Sequence, residues 1–205
     1  MTSDKQDNTP ITLHDHDQQH KIGAWRTLSS DYIIRRPWLT ARRDKVQLPD
    51  GRVAPEFYVL EYPDWINVVA LTTDGNIILE RQWRHALDEI STEIPAGVIE
   101  AGETPLEAAR RELQEETGYT GGQWESIITV APNPGLMTNR CHCFLATGVS
   151  HTSGQHLDAN EDLQVFFRKP AEVNRMLHEG AFSQALMVAP LALILPRLLA
   201  GEDKK

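Results

Sequence analysis

Apolar positions along this chain change period several times, and each change marks an element. From Trp25 to Tyr62, short β-prone runs recur at Asp31 to Arg35, Lys45 to Leu48 and Phe57 to Glu61. Pro49-Asp50-Gly51 supplies turn chemistry between the second and third. These runs predict a small antiparallel unit over residues 22–62, too thin to hold a core alone. Trp65 to Thr72 and Asn76 to Gln82 read as a second strand pair, joined at Thr73-Asp74-Gly75. A loop from about His85 leads to Glu93-Ile94-Pro95-Ala96-Gly97. The helix that follows has a well-marked start, with Thr104 as N-cap, Pro105 at N1 and Glu107 at N3 completing a capping box. Gly118 falls where a left-handed C-cap closes it. Leu106, Ala109 and Leu113 form its apolar stripe. Beyond it, Gly122 to Ala131 and Asn139 to Gly148 read as strands around Pro132-Asn133-Pro134-Gly135. A polar loop from Gly148 to Asp162 precedes a strand at Leu163 to Phe167. Helices at Pro170 to Glu179 and Phe182 to Leu199 end the pattern, with Pro190 and Pro196 bending or capping the last. This order predicts an α+β fold with a mixed sheet and helices on its faces.

Composition narrows the function classes. A chain of 205 residues holds one substantial core, or a core with a small accessory unit. Residues 1–21 lack periodicity and read as a flexible tail, in which His14, His16 and His20 are solvated. The net charge of -9 argues against a general nucleic-acid binder. It also means that an anionic substrate would need local cations, from metal and from arginine. The first residues hold no apolar stretch resembling a signal peptide. The apolar run Ala185 to Leu195 is shorter than the ~20 residues a bilayer requires, and Pro190 interrupts it. No membrane association and a cytoplasmic location are expected. Cys141 and Cys143 would share one strand face as reduced, buried thiols, since one C-x-C pair supplies too few ligands for closed zinc.

The most informative segment is Gly97-x5-Glu103-x7-Arg111-Glu112-Leu113-x-Glu115-Glu116-x-Gly118-Tyr119. Glu112, Glu115 and Glu116 fall at i, i+3 and i+4, on one helix face. Like charges at that spacing destabilise a bare helix. Hard cations such as Mg2+ or Mn2+ among the oxygens would cancel the repulsion. This pattern resembles the Nudix box, and the resemblance extends over roughly residues 63–200. It implies an α/β/α sandwich over 63–205, a divalent cofactor (Mg2+, with Mn2+ able to substitute) and hydrolysis of a nucleoside diphosphate linked to another moiety. It further implies metal ligation by the Ala96 carbonyl, Glu112, Glu115 and Glu116, with Glu115 also a catalytic candidate. Gly97, Glu103, Arg111, Gly118 and Pro134 take structural roles, Arg111 pairing with Glu112 or Glu103. Tyr119 departs mildly from the aliphatic residue usual at the end of the box.

Further matches resemble the ADP-sugar pyrophosphatases of that family. They are Gln82-Trp83-Arg84 for a Q-x-R strand, Glu93 to Gly97 for an E-x-P-A-G loop, Pro134-Gly135 for a marker proline, and Ala159-Asn160-Glu161-Asp162 for an acidic loop. The resemblance assigns substrate binding to Gln82, Arg84 and Glu93. Arg84 has a physical task of its own, a fork of hydrogen bonds to phosphate oxygens. Glu161 is the first choice for general base, then Asp162 and Asp158. Trp25, Tyr32 and Trp38 are candidates to stack on the adenine, Trp38 being named as a substrate contact. In similar enzymes the N-terminal unit is exchanged across a homodimer, and a homodimer is expected here. The expected activity is cleavage of ADP-ribose, or a related nucleotide sugar, to a nucleoside monophosphate and a sugar phosphate. A GDP-mannose or broad nucleotide-sugar hydrolase is the nearest alternative, and a non-catalytic nucleotide-sensing module the rival from another class.

Overall fold

The structure, a computed structural model, describes residues 22–37, 39–158 and 161–202. The expected tail at 1–21, its histidines, Trp38 and the Ala159-Asn160 step lie outside these residues. Strands β1 (Arg26–Arg36), β2 (Leu39–Gln47) and β3 (Val53–Glu61) form an antiparallel sheet in the order β1-β2-β3. β2 begins at Leu39 rather than at Lys45, because its charged residues find partners in the sheet. Arg42 pairs with Asp44 at 3.1 Å and with Glu61, while Arg43 reaches Glu56 at 3.2 Å and Asp31 at 3.5 Å. Cross-strand pairs of opposite charge let such residues run through a strand. β1 is exposed along its whole length.

The second sheet contains β4 (Trp65–Thr72), β5 (Ile77–Arg84), β6 (Glu89–Glu93), β7 (Ala96–Val98), β8 (Tyr119–Val130), β9 (Cys141–His151) and β10 (Leu163–Arg168). Its main order is β10-β5-β4-β9-β8, with β6 on β5 and β7 on β4. β4 runs parallel to β9 and the other pairs are antiparallel, so the sheet is mixed. Helix α1 (Pro105–Thr117) covers one face, where its Ala108, Ala109 and Leu113 meet Ile66, Val68, Ile78 and Phe144. Helices α2 (Pro170–His178) and α3 (Ala185–Glu202) cover the other. Met187, Leu191, Ile194 and Leu195 of α3 repeat at helical spacing and pack on Val69, Leu79 and Leu145. The result is the α/β/α sandwich expected from the sequence. Pro190 and Pro196 both lie inside α3. No helix among the described residues is long and apolar enough to cross a membrane.

One departure from the expected elements shapes the site. Residues near His85 to Glu93, expected as loop, form a hairpin in which β6 pairs with β5. β4 and β5 pair where their turn begins, at Leu71 and Ile77. Farther along, β5 takes β6 as its partner while β4 takes β7, with the Val68 N–H donating to the Pro95 carbonyl at 2.9 Å. A cavity opens where the two strands part.

Candidate active site

Helix α1 is built to present its acidic edge. The Thr104 side chain accepts from the Glu107 N–H, Glu107 answers with a bond from the Thr104 N–H, and Pro105 stands in the first turn. At the other end Gly118 adopts φ 75°, and its N–H donates to the Gln114 carbonyl. A Cβ there would fall 2.1 Å from the Ser153 carbonyl oxygen, so only glycine permits both the cap and the close passage of that loop. Ala109 and Leu113 turn inward, and the adjacent edge carries the carboxylates.

Arg111 organises that edge. Its Nε and Nη2 donate to Glu103 at 2.8 and 2.9 Å, and Nη1 donates to Glu112 at 2.9 Å and Glu115 at 3.0 Å. Nη2 also donates to the Val98 carbonyl at 2.9 Å, tying the helix to β7. These bonds, that to Glu103 foremost, raise the Arg111 pKa, while the Glu103 carboxyl is held below its ordinary value. The anticipated pairing with Glu112 or Glu103 is thus a wider network that engages both residues and Glu115.

Glu112 and Glu116 are buried. Glu116 accepts the Ala96 N–H at 3.0 Å, and Glu112 lies against Gly97 so closely that a Cβ there would sit 2.0 Å from its carboxyl carbon. Burial raises the pKa of Glu112 despite Arg111. It raises that of Glu116 well above the ordinary value, assisted by the charges of Glu80 and Glu112. Ala96 and Gly97 belong to β7, so the E-x-P-A-G segment and α1 meet as the motif implied.

The donor set fits a hard divalent cation. It consists of oxygens, includes carboxylates whose burial disfavours their charge, and surrounds a glycine whose missing side chain leaves room. Among the described residues, no three side chains of metal-ligand type stand close enough to hold an ion as they are placed. Arg111 draws Glu112 and Glu115 aside, and Glu116 turns to Ala96.

Beside this edge lies the cavity of about 570 Å3, lined by Trp65, Asn67, Trp83, Arg84, Glu93 and Gly97 among others. Arg84 is held by Glu93, and Gln82 stands two residues before it on the same strand face. Glu161 lies in the loop before β10, where its side chain accepts the Asp158 N–H at 2.9 Å. Its charge contributes to raising Glu80, Glu112 and Glu116, which places it within electrostatic reach of the cluster. Pro134 sits in a turn clamped to β3: the Leu60 N–H donates to the Leu136 carbonyl at 2.8 Å and the Thr138 N–H to that of Leu60 at 3.1 Å. Trp25 packs edge-on against Phe57, and the Tyr32 hydroxyl donates to Glu61, both within the N-terminal sheet. Cys141 and Cys143 are free and buried on β9.

Sequence reasoning overlooked Glu80. This residue is fully buried in β5, opposite Glu93, and its pKa is pushed up to about 8 by burial and then by Glu93. The available signal was its spacing of two residues from Gln82 and four from Arg84, which places all three on one strand face.

A profile described as the NUDIX domain matches residues 63–191. The chain belongs to the Nudix family. Residues 25–60 match a profile described as the nucleoside diphosphate sugar hydrolase N-terminal domain. The Nudix chain is 34% identical over 130 residues to a methanol dehydrogenase activator of Bacillus methanolicus, covering 63% of this chain and 70% of the relative. It is 34% identical over 141 residues to an ADP-ribose pyrophosphatase of Bacillus subtilis (strain 168), covering 68% and 76%. A crystal structure of an ADP compounds hydrolase superposes with a TM-score of 0.78 at 20% identity, covering 91% of this chain and all of that one, which shows a common fold.

Proposed function

We propose that this Nudix protein hydrolyses the pyrophosphate bond of ADP-ribose, or of a closely related nucleoside diphosphate sugar, with Mg2+ as cofactor and Mn2+ able to replace it. The products are a nucleoside monophosphate and a sugar phosphate. The observation that carries this reading is the buried carboxylate edge of α1 directly beside a nucleotide-sized cavity that contains Arg84. Relatives named for ADP-ribose hydrolysis support the substrate class.

The following roles are part of this reading. Glu112, Glu115, Glu116 and the Ala96 carbonyl hold the divalent cation, which when bound neutralises the diphosphate and lowers the pKa of the attacking water. Arg111 and Glu103 fix the carboxylates and so limit reorganisation during the reaction. Arg84, oriented by Glu93, donates to phosphate oxygens, and Gln82 supports it from the same strand face. Glu161 accepts the proton of the attacking water. Trp38, which lies outside the described residues, is assigned to the base on the sequence resemblance alone.

The working unit is a homodimer. β1 is exposed throughout, with Leu28, Tyr32, Ile33 and Ile34 among its exposed residues, and an uncovered apolar strand edge invites pairing with a second copy. Light scattering at micromolar concentration tests this directly, and a fully active monomer opposes it.

Incubating the protein and Mg2+ with ADP-ribose, ADP-glucose and GDP-mannose, and identifying products by phosphorus NMR, tests the activity. AMP with ribose 5-phosphate as the preferred products supports the reading. Tight binding without turnover of any of them would contradict it in favour of a nucleotide sensor.

A further inference from the structure

Glu80 ends the apolar run Ile77-Ile78-Leu79 of β5, before the more polar Arg81-Gln82-Trp83-Arg84, and yet has no exposed surface. Strand alternation puts it on the same sheet face as Ile78, whose neighbours include Ala108, Ala109 and Leu113 of α1. In register it stands between Glu93 of β6 and Val165 of β10. Neither carboxylate oxygen has a hydrogen-bond partner among the described residues.

Such a residue is costly to the fold. A buried carboxylate without a partner is strongly disfavoured, and an aliphatic side chain would fill the same space more stably. Neutralisation alone does not resolve the cost, because a protonated carboxyl still needs an acceptor for its O–H, and none is in reach. The surrounding field is also acidic: Glu93, Glu161 and Glu112 oppose its charge, and Glu80 is the foremost charge acting on Glu116. Arg84 is the favourable charge nearby, and its guanidinium is engaged by Glu93.

We propose that Glu80 extends the cation site beyond α1, supplying a further carboxylate beside Glu116 to the divalent ion, directly or through a bound water. This rests on the metal-dependent reading above and adds to it a residue outside the Nudix box. A cation at this position accounts together for the burial, the unpartnered oxygens and the concentration of negative charge.

The experiment is Mn2+ binding to the otherwise native chain, followed by electron paramagnetic resonance of free Mn2+ and by the metal-induced rise in Tm. Wild type, Glu80→Gln, Glu80→Leu and Glu116→Gln are compared. Glu80→Gln and Glu80→Leu are expected to fold and to bind Mn2+ about 10–100-fold more weakly, with a smaller metal-induced rise in Tm. Glu80→Asp, which keeps the charge, is expected to retain part of the affinity. It serves as the measure against wild type if neither neutral variant folds, and unchanged binding in it then overturns the inference. Wild-type affinity in Glu80→Gln, with loss in Glu116→Gln, makes Glu80 a core acid and overturns the inference while leaving the α1 site intact. Absence of millimolar or tighter Mn2+ binding by wild type overturns both.

Discussion

The Arg84 guanidinium grips the Glu93 carboxylate with two hydrogen bonds, Nε to Oε1 at 2.7 Å and Nη2 to Oε2 at 2.5 Å. Glu93 is buried and projects from β6, so the hairpin β5–β6 aims an arginine at the cavity. A lysine has the charge without the fork, and cannot serve both the carboxylate and a phosphate. Arg84→Lys is expected to lower kcat/KM for ADP-ribose by about 10–100-fold, the loss of one or two charge-assisted hydrogen bonds. Steady-state kinetics checks this, and an unchanged kcat/KM would confine Arg84 to its partnership with Glu93.

Gly97 separates the fold from the site. A Cβ at this position would lie 2.0 to 2.5 Å from the Glu112 carboxyl group, which is the movable end of a side chain. Gly97→Ala is therefore expected to fold with a Tm within a few degrees of wild type. Displacing Glu112 should weaken Mn2+ binding by roughly 10–100-fold. Calorimetric titration against thermal melting distinguishes this outcome from a plain loss of stability.

Stability of the metal-free protein should depend on pH through Glu80. Its pKa is raised from the ordinary 4.5 to about 8 in the fold, so the folded chain holds this proton more tightly than the unfolded one. The resulting stabilisation is complete below about pH 4.5 and is lost as pH rises through about 8. Glu93, Glu161 and Glu112 act on Glu80 in the same direction, Arg84 against them, and Glu116 shifts upward with it. With chelator present, the Tm of wild type relative to Glu80→Gln should fall between pH 5 and pH 8. A constant or rising difference would contradict the burial of a titrating carboxyl.

Glu161 tests the assignment of the base. Its carboxylate is held by the Asp158 N–H and is free of arginine among the described residues. Glu161→Gln is expected to reduce kcat by roughly 10²–10⁴ while KM and Mn2+ affinity stay near wild type. A near-normal kcat would transfer the role to Glu115 or to another loop carboxylate.

Sequence legibility followed how local the determining physics was. Helix α1 is readable from its own residues, since Thr104, Pro105, Glu107 and Gly118 fix both ends by local bonds. The order of layers is readable too, because α3 and the central strands β4 and β5 carry apolar runs that must be buried. β6 is not: Glu89-Ile90-Ser91-Thr92-Glu93 is mostly polar, and its strand character comes from pairing with β5. β2 is concealed likewise by Arg42 and Arg43, whose partners lie mostly on other strands. Within the site, the box spacing brings Arg111 and its carboxylates to one edge in plain view. Glu80 stays hidden because an acid followed by Arg81 and Gln82 reads as the polar end of a strand, and gains meaning only when Glu93 pairs opposite it and Glu116 comes within electrostatic reach.

The central claim is that the acidic edge of α1 binds a divalent cation and thereby splits a nucleotide sugar. Its most direct measurement is ADP-ribose turnover by wild type and Glu116→Gln, each with Mg2+ and with chelator, alongside circular dichroism. The expected result is Mg2+-dependent release of AMP by wild type, abolished by chelator and restored by Mg2+ or Mn2+. Glu116→Gln should lower kcat by orders of magnitude while its spectrum and Tm remain native or improve, since a buried charge has been removed. Equal turnover by the two proteins, or turnover by wild type that survives complete removal of metal, would contradict the claim.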